Sequence, residues 1–193
     1  MNPYPSLPTI LIVTEGFTEK NYFERLRERD AGYSVIVKRS PEQRPDKILK
    51  YCEAQVQERD LELGVQDAAY CVFDTDYTPE SKLQEILDRA RKKGIKVILS
   101  KPCFEVFFLL HFTNNVDMLA VPKDAKEELG NYIEGYSETE DYWKKLLPMQ
   151  QEAIARSRRF TLPEKISMKK CANGTNIYEL FDELERRKNL HRN

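Results

Sequence analysis

Ile10-Leu11-Ile12-Val13-Thr14-Glu15-Gly16 and Tyr70-Cys71-Val72-Phe73-Asp74-Thr75-Asp76 decide how this chain folds. Each is a short apolar run that stops at an acid. Unbroken apolar runs of this length suit strands buried on both faces, as in a parallel sheet. Between and beyond them the pattern alternates. A helix capped by Thr18 is expected next, with Tyr22, Phe23 and Leu26 on one face. A strand is expected over 33–37 and a loop over 41–45. Pro45 suits a helix start, with Leu49, Cys52 and Val56 facing inward and Gly64 at the end. Residues 68–73 form the next strand. Leu83, Ile86, Leu87 and Ala90 mark a helix from Ser81 that Gly94 stops, and 95–99 form a further strand. The expected fold is therefore α/β, a parallel sheet of about four strands flanked by helices.

The second half reads as helical. Residues 104–112 are too apolar for a surface helix and should enter the core. Helices are expected over 123–132 and 137–159, the latter opened by a capping box of Ser137 and Glu140. A loop over 162–175 leads to a last helix striped by Ile177, Leu180, Phe181 and Leu184. The division expected is an α/β domain over 1–115 and a helical extension over 116–193 packed on it.

The 193 residues are 40% hydrophobic and 33% charged, and 31 basic residues against 32 acidic ones leave a net charge of −1. Bulk electrostatics therefore does not predict nucleic-acid binding; a local basic face would have to supply it. No stretch approaches the roughly 20 apolar residues that span a bilayer, and the first eight residues lack the pattern of a secretory signal. A cytoplasmic protein without membrane contact is expected, with a homo-oligomer allowed. Cys52, Cys71, Cys103 and Cys171 show no CxxC spacing, so reduced and mostly buried thiols are expected rather than a zinc site.

Glu15, Asp74 and Asp76 all follow apolar strands. In open parallel sheets the carboxyl ends of the strands form the ligand-binding edge, so the acids should converge there. Like charges that close repel unless a cation or a proton separates them. Hard oxygen ligands suit magnesium or manganese, and in Asp-x-Asp the two side chains share a face. Glu19, one turn on from Glu15, either reaches the same ion through water or simply favours the positive end of its helix. Glu105, alone among apolar neighbours, needs a partner or a metal; it is either an additional ligand or general base, or an acid at a helix start. Lys101 is placed to meet phosphate, with Ser100 beside it, and His111 reads as a packing histidine. Arg156, Arg158 and Arg159, with Lys165, Lys169 and Lys170 after them, form a basic patch that either tracks a nucleic-acid backbone or complements a helix end.

These segments carry a resemblance. Residues 11–16 followed by Val72-Phe73-Asp74-Thr75-Asp76 resemble the TOPRIM domain of topoisomerases, bacterial primases and OLD nucleases. The chain more closely resembles the RloB-like / AbiLii abortive-infection family, through 14–23, 73–76, 101–112 and Thr175-Asn176-Ile177-Tyr178-Glu179-Leu180. Thr14 departs from the pattern, since relatives often carry cysteine there. The resemblance implies a TOPRIM fold and metal-dependent phosphodiester chemistry in prokaryotic antiphage defence, often beside an ABC- or AAA-type ATPase. It implies Asp74 and Asp76 as metal ligands, Glu15 as ligand or general acid/base, and Thr175 and Asn176 as candidates for the site. Related effectors that attack transfer RNA put RNA ahead of DNA as substrate. The alternative is a regulatory partner of a defence ATPase that holds a nucleotide or metal without turnover.

Overall fold

The structure, a computed structural model, describes residues 7–75, 78–160 and 172–192. Strands β1 (Thr9–Thr14), β2 (Ser34–Arg39), β3 (Ala68–Asp74) and β4 (Lys96–Lys101) alternate with helices α1 (Phe17–Glu24), α2 (Pro45–Glu58) and α3 (Glu80–Lys92). The sheet order is β2-β1-β3-β4-β5, the first four strands parallel and β5 (Gly174–Thr175) antiparallel to β4. β2 lies on one side of β1 and β3 on the other, so successive connections diverge there. This reversal opens a crevice above the carboxyl ends of β1 and β3.

The strands are buried on both faces, as their unbroken apolar runs require. Ile10, Ile12, Tyr70, Val72 and Ile98 join one core with Tyr22 and Phe23 of α1, while Leu11, Val13, Cys71, Phe73 and Leu99 join a second with Ile48 and Leu49 of α2 and Leu83 of α3. The side-chain period of two along each strand produces this division. Helix α4 (Glu105–Phe112) lies inside the first core, its residues from Glu105 to His111 all buried. Helices α5 (Pro122–Gly130), α6 (Trp143–Leu146), α7 (Gln150–Ser157) and α8 (Tyr178–Arg192) complete the chain, and residues of α5, α6, α7 and α8 share the core of α1 and α4. No helix among the described residues is long and apolar enough to cross a membrane. Cys52, Cys71 and Cys103 are buried free thiols; Cys171 lies outside the described residues.

Several local expectations are corrected. The second strand begins at Ser34 and runs to Arg39, because pairing with β1 continues past the apolar part of the run. Thr18 lies inside α1, whose N-cap is Gly16, and its hydroxyl donates to Glu138 O. Helix α2 ends at Glu58, before Gly64. The helix expected over 137–159 is interrupted. Ser137 and Glu140 lie in a turn, the Ser137 amide donates to the Tyr142 hydroxyl, and Asp141 accepts from the Trp143 amide at the start of α6. Pro148, in a 3-10 turn over Leu147–Met149, then separates α6 from α7.

The fifth strand adds to the expected four. Two residues suffice because Asn176 extends the pairing with its side chain: Oδ1 accepts from Leu99 N (2.8 Å) and Nδ2 donates to Val97 O (2.9 Å). The amide thus imitates one more backbone unit along β4. Gly174 is required there, since it sits at φ 153° and a Cβ would lie 2.7 Å from Phe160 Cβ. Asn176→Ala strands both β4 groups in a buried site and should destabilise the chain by about 2 kcal/mol in a denaturant titration. Asn176→Asp should not restore it, because a carboxylate cannot donate to Val97 O.

Candidate metal centre at the strand ends

Glu15 and Asp74 meet at the crevice. The Glu15 amide donates to Val72 O (3.1 Å), which extends the β1–β3 pairing by one residue past Thr14. Its carboxylate then turns across the strand end, where Oε2 accepts from the Asp74 amide (3.2 Å). Both acids line an open cleft of about 580 Å³, with Thr78 beside them and Glu42, Gln43, Arg44 and Pro45 forming the wall from the β2–α2 loop and the start of α2. Asp76 lies outside the described residues.

Two further carboxylates lie behind this pair. Glu19 is 4% exposed in the first turn of α1, folded back over Gly16, where a Cβ would lie 2.8 Å from its Oε2. Glycine at position 16 therefore admits the Glu19 carboxylate. Burial pushes the Glu19 carboxyl up from 4.5 to about 8, and the charges of Glu15 and Glu105 push the same way, against backbone hydrogen bonds from Glu19 and Gly16. Glu105 opens α4, also 4% exposed, and its Oε1 accepts from the Tyr136 hydroxyl (2.9 Å). Cys103 lies in the field of both Glu105 and Asp74; burial first, then these charges, push its thiol up. The strand-end acids and the buried pair thus form one electrostatic neighbourhood.

Such crowding calls for protons or a cation. Glu15 and Asp74 offer hard oxygen donors facing a cleft, and magnesium takes few protein carboxylates and keeps several waters. The described donors fit that chemistry. Among the described residues no group of three His, Cys, Asp or Glu side chains is gathered closely enough to hold an ion; of the three expected donors Glu15 and Asp74 are described and Asp76 is not.

The other candidates fall in different places. Lys101 is half-buried at the end of β4 and pairs with Gly174 across the sheet. Ser100 is fully buried, with its hydroxyl donating to Thr175 Oγ1 (3.2 Å). Thr175 and Asn176 are buried at 0% and 1% and serve the sheet edge, which leaves them no open surface for a nucleic acid. Arg156 donates to Leu110 O (2.7 Å) at the end of α4. Arg158 forks onto Asp182 and lies over the Tyr178 ring. Arg156 is half-buried, Arg158 and Arg159 are exposed, and Lys165, Lys169 and Lys170 lie outside the described residues. His111 packs against Tyr22, Phe107 and Phe108, its Nδ1–H donates to Phe107 O (2.9 Å), and burial lowers it to about 4, so it is a neutral core residue.

Sequence reasoning missed Tyr136 and Arg44. Tyr136 sits in a polar turn remote in sequence from Glu105 and carries no local signal of its role. Arg44 was legible only as the residue before Pro45.

A family model described as RloB-like protein matches residues 10–184. No curated protein matches the sequence. Among solved structures, a de novo designed Rossmann fold protein aligns with a TM-score of 0.33 and 12% identity, over 66% of this chain and 98% of the design.

Proposed function

The chain belongs to the RloB-like family, and on that premise we propose that it is a divalent-metal-dependent nuclease that cleaves phosphodiester bonds. The observation that carries the reading is the meeting of Glu15 and Asp74 in one cleft at the carboxyl ends of adjacent parallel strands. The likeness of those two segments to the TOPRIM domain gives the carboxylates their chemistry. Transfer RNA is the first substrate to test, ahead of other RNA and DNA. The biological role is that of a toxic effector in prokaryotic antiphage defence, acting beside an ABC- or AAA-type ATPase.

In this reading Glu15, Asp74 and Asp76 hold a magnesium or manganese ion. When bound, the ion polarises the phosphate and stabilises the leaving oxygen. The remaining work belongs to the chain. Glu15 Oε2, anchored on the Asp74 amide, is fixed in place before substrate arrives. Glu105, steadied by the Tyr136 hydroxyl, or Glu15 itself takes the proton of the attacking nucleophile. Glu19 holds its proton near neutral pH, which lowers the repulsion among its neighbours. Lys101 offsets the charge that develops on the phosphate.

The test is incubation of the purified protein with total RNA and plasmid DNA, with EDTA, magnesium or manganese. Cleavage should need the metal and should vanish when Asp74→Asn and Asp76→Asn are combined. Equal cleavage by the double variant would show that the site is wrong. No cleavage of either nucleic acid, with tight association to an ATPase, would replace this reading by the regulatory one.

A further inference from the structure

β2 brings a cation to the strand-end region, at the register position next to Glu15. Arg39 is the last residue of β2 and pairs in register with Thr14, the residue before Glu15; the Ser40 amide then donates to Thr14 O (2.8 Å). Arg39 shares its strand face with Val35 and Val37, the face covered by α1. Its guanidinium lies over the Phe17 ring, 4.4 Å from the centroid, and it has no carboxylate partner among the described residues. Phe17 opens α1 and is 48% exposed, whereas Thr18, Glu19, Tyr22 and Phe23 after it are buried.

An isolated exposed phenylalanine needs no explanation. Here it stands two positions after Glu15, under an arginine that pairs with no acid among the described residues. A guanidinium plane on an aromatic ring is the surface on which unpaired nucleobases stack, and the same guanidinium can bond the adjoining phosphate. A duplex hides its base faces and cannot use such a surface. We propose that Phe17 and Arg39 form a subsite for an unpaired nucleobase and its phosphate beside the strand-end carboxylates, so that the ligand is a single-stranded or looped nucleic acid. The proposal rests on the nuclease reading for its choice of ligand class, and it locates binding on the β2 flank rather than on Arg156 and Arg158.

The test uses the full chain carrying Asp74→Asn, so that bound oligonucleotide survives. Short single-stranded RNA, single-stranded DNA of the same sequence and a blunt duplex are titrated by fluorescence anisotropy, and 2-aminopurine in the single strands reports stacking by its quenching. Single strands should bind at least about tenfold more tightly than the duplex, with quenching. The RNA and DNA arms decide which sugar is preferred. Phe17→Ala should abolish the quenching and weaken binding about tenfold, Arg39→Ala should weaken it similarly, and Phe17→Trp should restore both signals. Lys38→Ala removes a charge from the opposite face of β2 and should change affinity less than about threefold.

Equal affinity for the duplex, or Phe17→Ala binding like its parent, overturns the subsite. Equal losses from Lys38→Ala and Arg39→Ala without any effect of Phe17→Ala overturn it too, since charge alone then explains binding. In the otherwise wild-type chain, metal-dependent cleavage that Phe17→Ala leaves unchanged overturns the subsite and spares the nuclease reading. Phe17-dependent quenching in a protein that cleaves nothing supports the subsite and removes the nuclease reading.

Discussion

Asp74→Asn should lower metal-dependent cleavage by more than about a hundredfold while leaving the melting temperature nearly unchanged. The substitution is isosteric and leaves the Asp74 amide in place to donate to Glu15 Oε2. What it removes is one negative charge from the cleft wall shared by Glu15 and Thr78. Asparagine still offers an oxygen, but without the charge that draws a hard dication out of its hydration shell. Repulsion from Glu15 also falls, so the folded chain loses no stability in metal-free buffer. Thr78→Ala, a change on the same wall that removes no charge, should retain activity within about threefold. Comparable rates for Asp74→Asn and the unaltered chain would remove the carboxylate from the chemistry.

Glu19→Gln should stabilise the metal-free protein, and by an amount that grows with pH. The Glu19 carboxyl sits at about 8 in the folded chain, against an ordinary value of 4.5. Between those values the folded protein binds a proton that the unfolded chain releases. The stabilisation tied to that proton is complete below the lower value and is lost as pH rises through the upper one. Glutamine makes no such titration. At pH 8 the variant should therefore exceed the unaltered chain by about 4 kcal/mol, roughly 8–16 °C in melting temperature, and the difference should vanish toward pH 4.5. Melting curves across this range check it. A difference independent of pH, or a variant that is less stable at pH 8, would mean that Glu19 is not the buried acid described above.

Strands β1, β3 and β4 were legible because each is an apolar run buried on both faces and closed by a clear break. The crevice followed from them, since Glu15 and Asp74 each sit where an apolar run ends. β5 was not legible. Gly174 and Thr175 read as turn residues, and nothing local says that the Asn176 amide will continue the pairing along β4. The helix expected over 137–159 shows the opposite error: an apparent capping box was trusted, while Pro148 and the Tyr142 hydroxyl decided the outcome.

At the site, sequence ranked Glu19 and Glu105 together behind the strand-end acids, and the structure buries both. The apolar run around Glu105 announced that it needed a partner. It could not name Tyr136, which arrives from a distant turn held against α1 by contacts of Thr18 and Asn21 with Glu138 and Thr139. The basic cluster near 156–159 stayed open between two readings for a related reason. Arginine content is visible in a sequence, but whether an arginine is already bonded to Leu110 O or Asp182 is settled only by tertiary packing. Arg39 carried no such signal, yet it pairs in register with Thr14, the residue before Glu15.

The decisive measurement is manganese binding, followed by electron paramagnetic resonance as the metal-free chain is titrated. The unaltered protein should show saturable binding that magnesium displaces, and Asp74→Asn and Glu15→Gln should each weaken it by at least about tenfold. Manganese that stays free in the presence of the unaltered chain, or that binds both variants as tightly, would contradict a metal centre at the ends of β1 and β3.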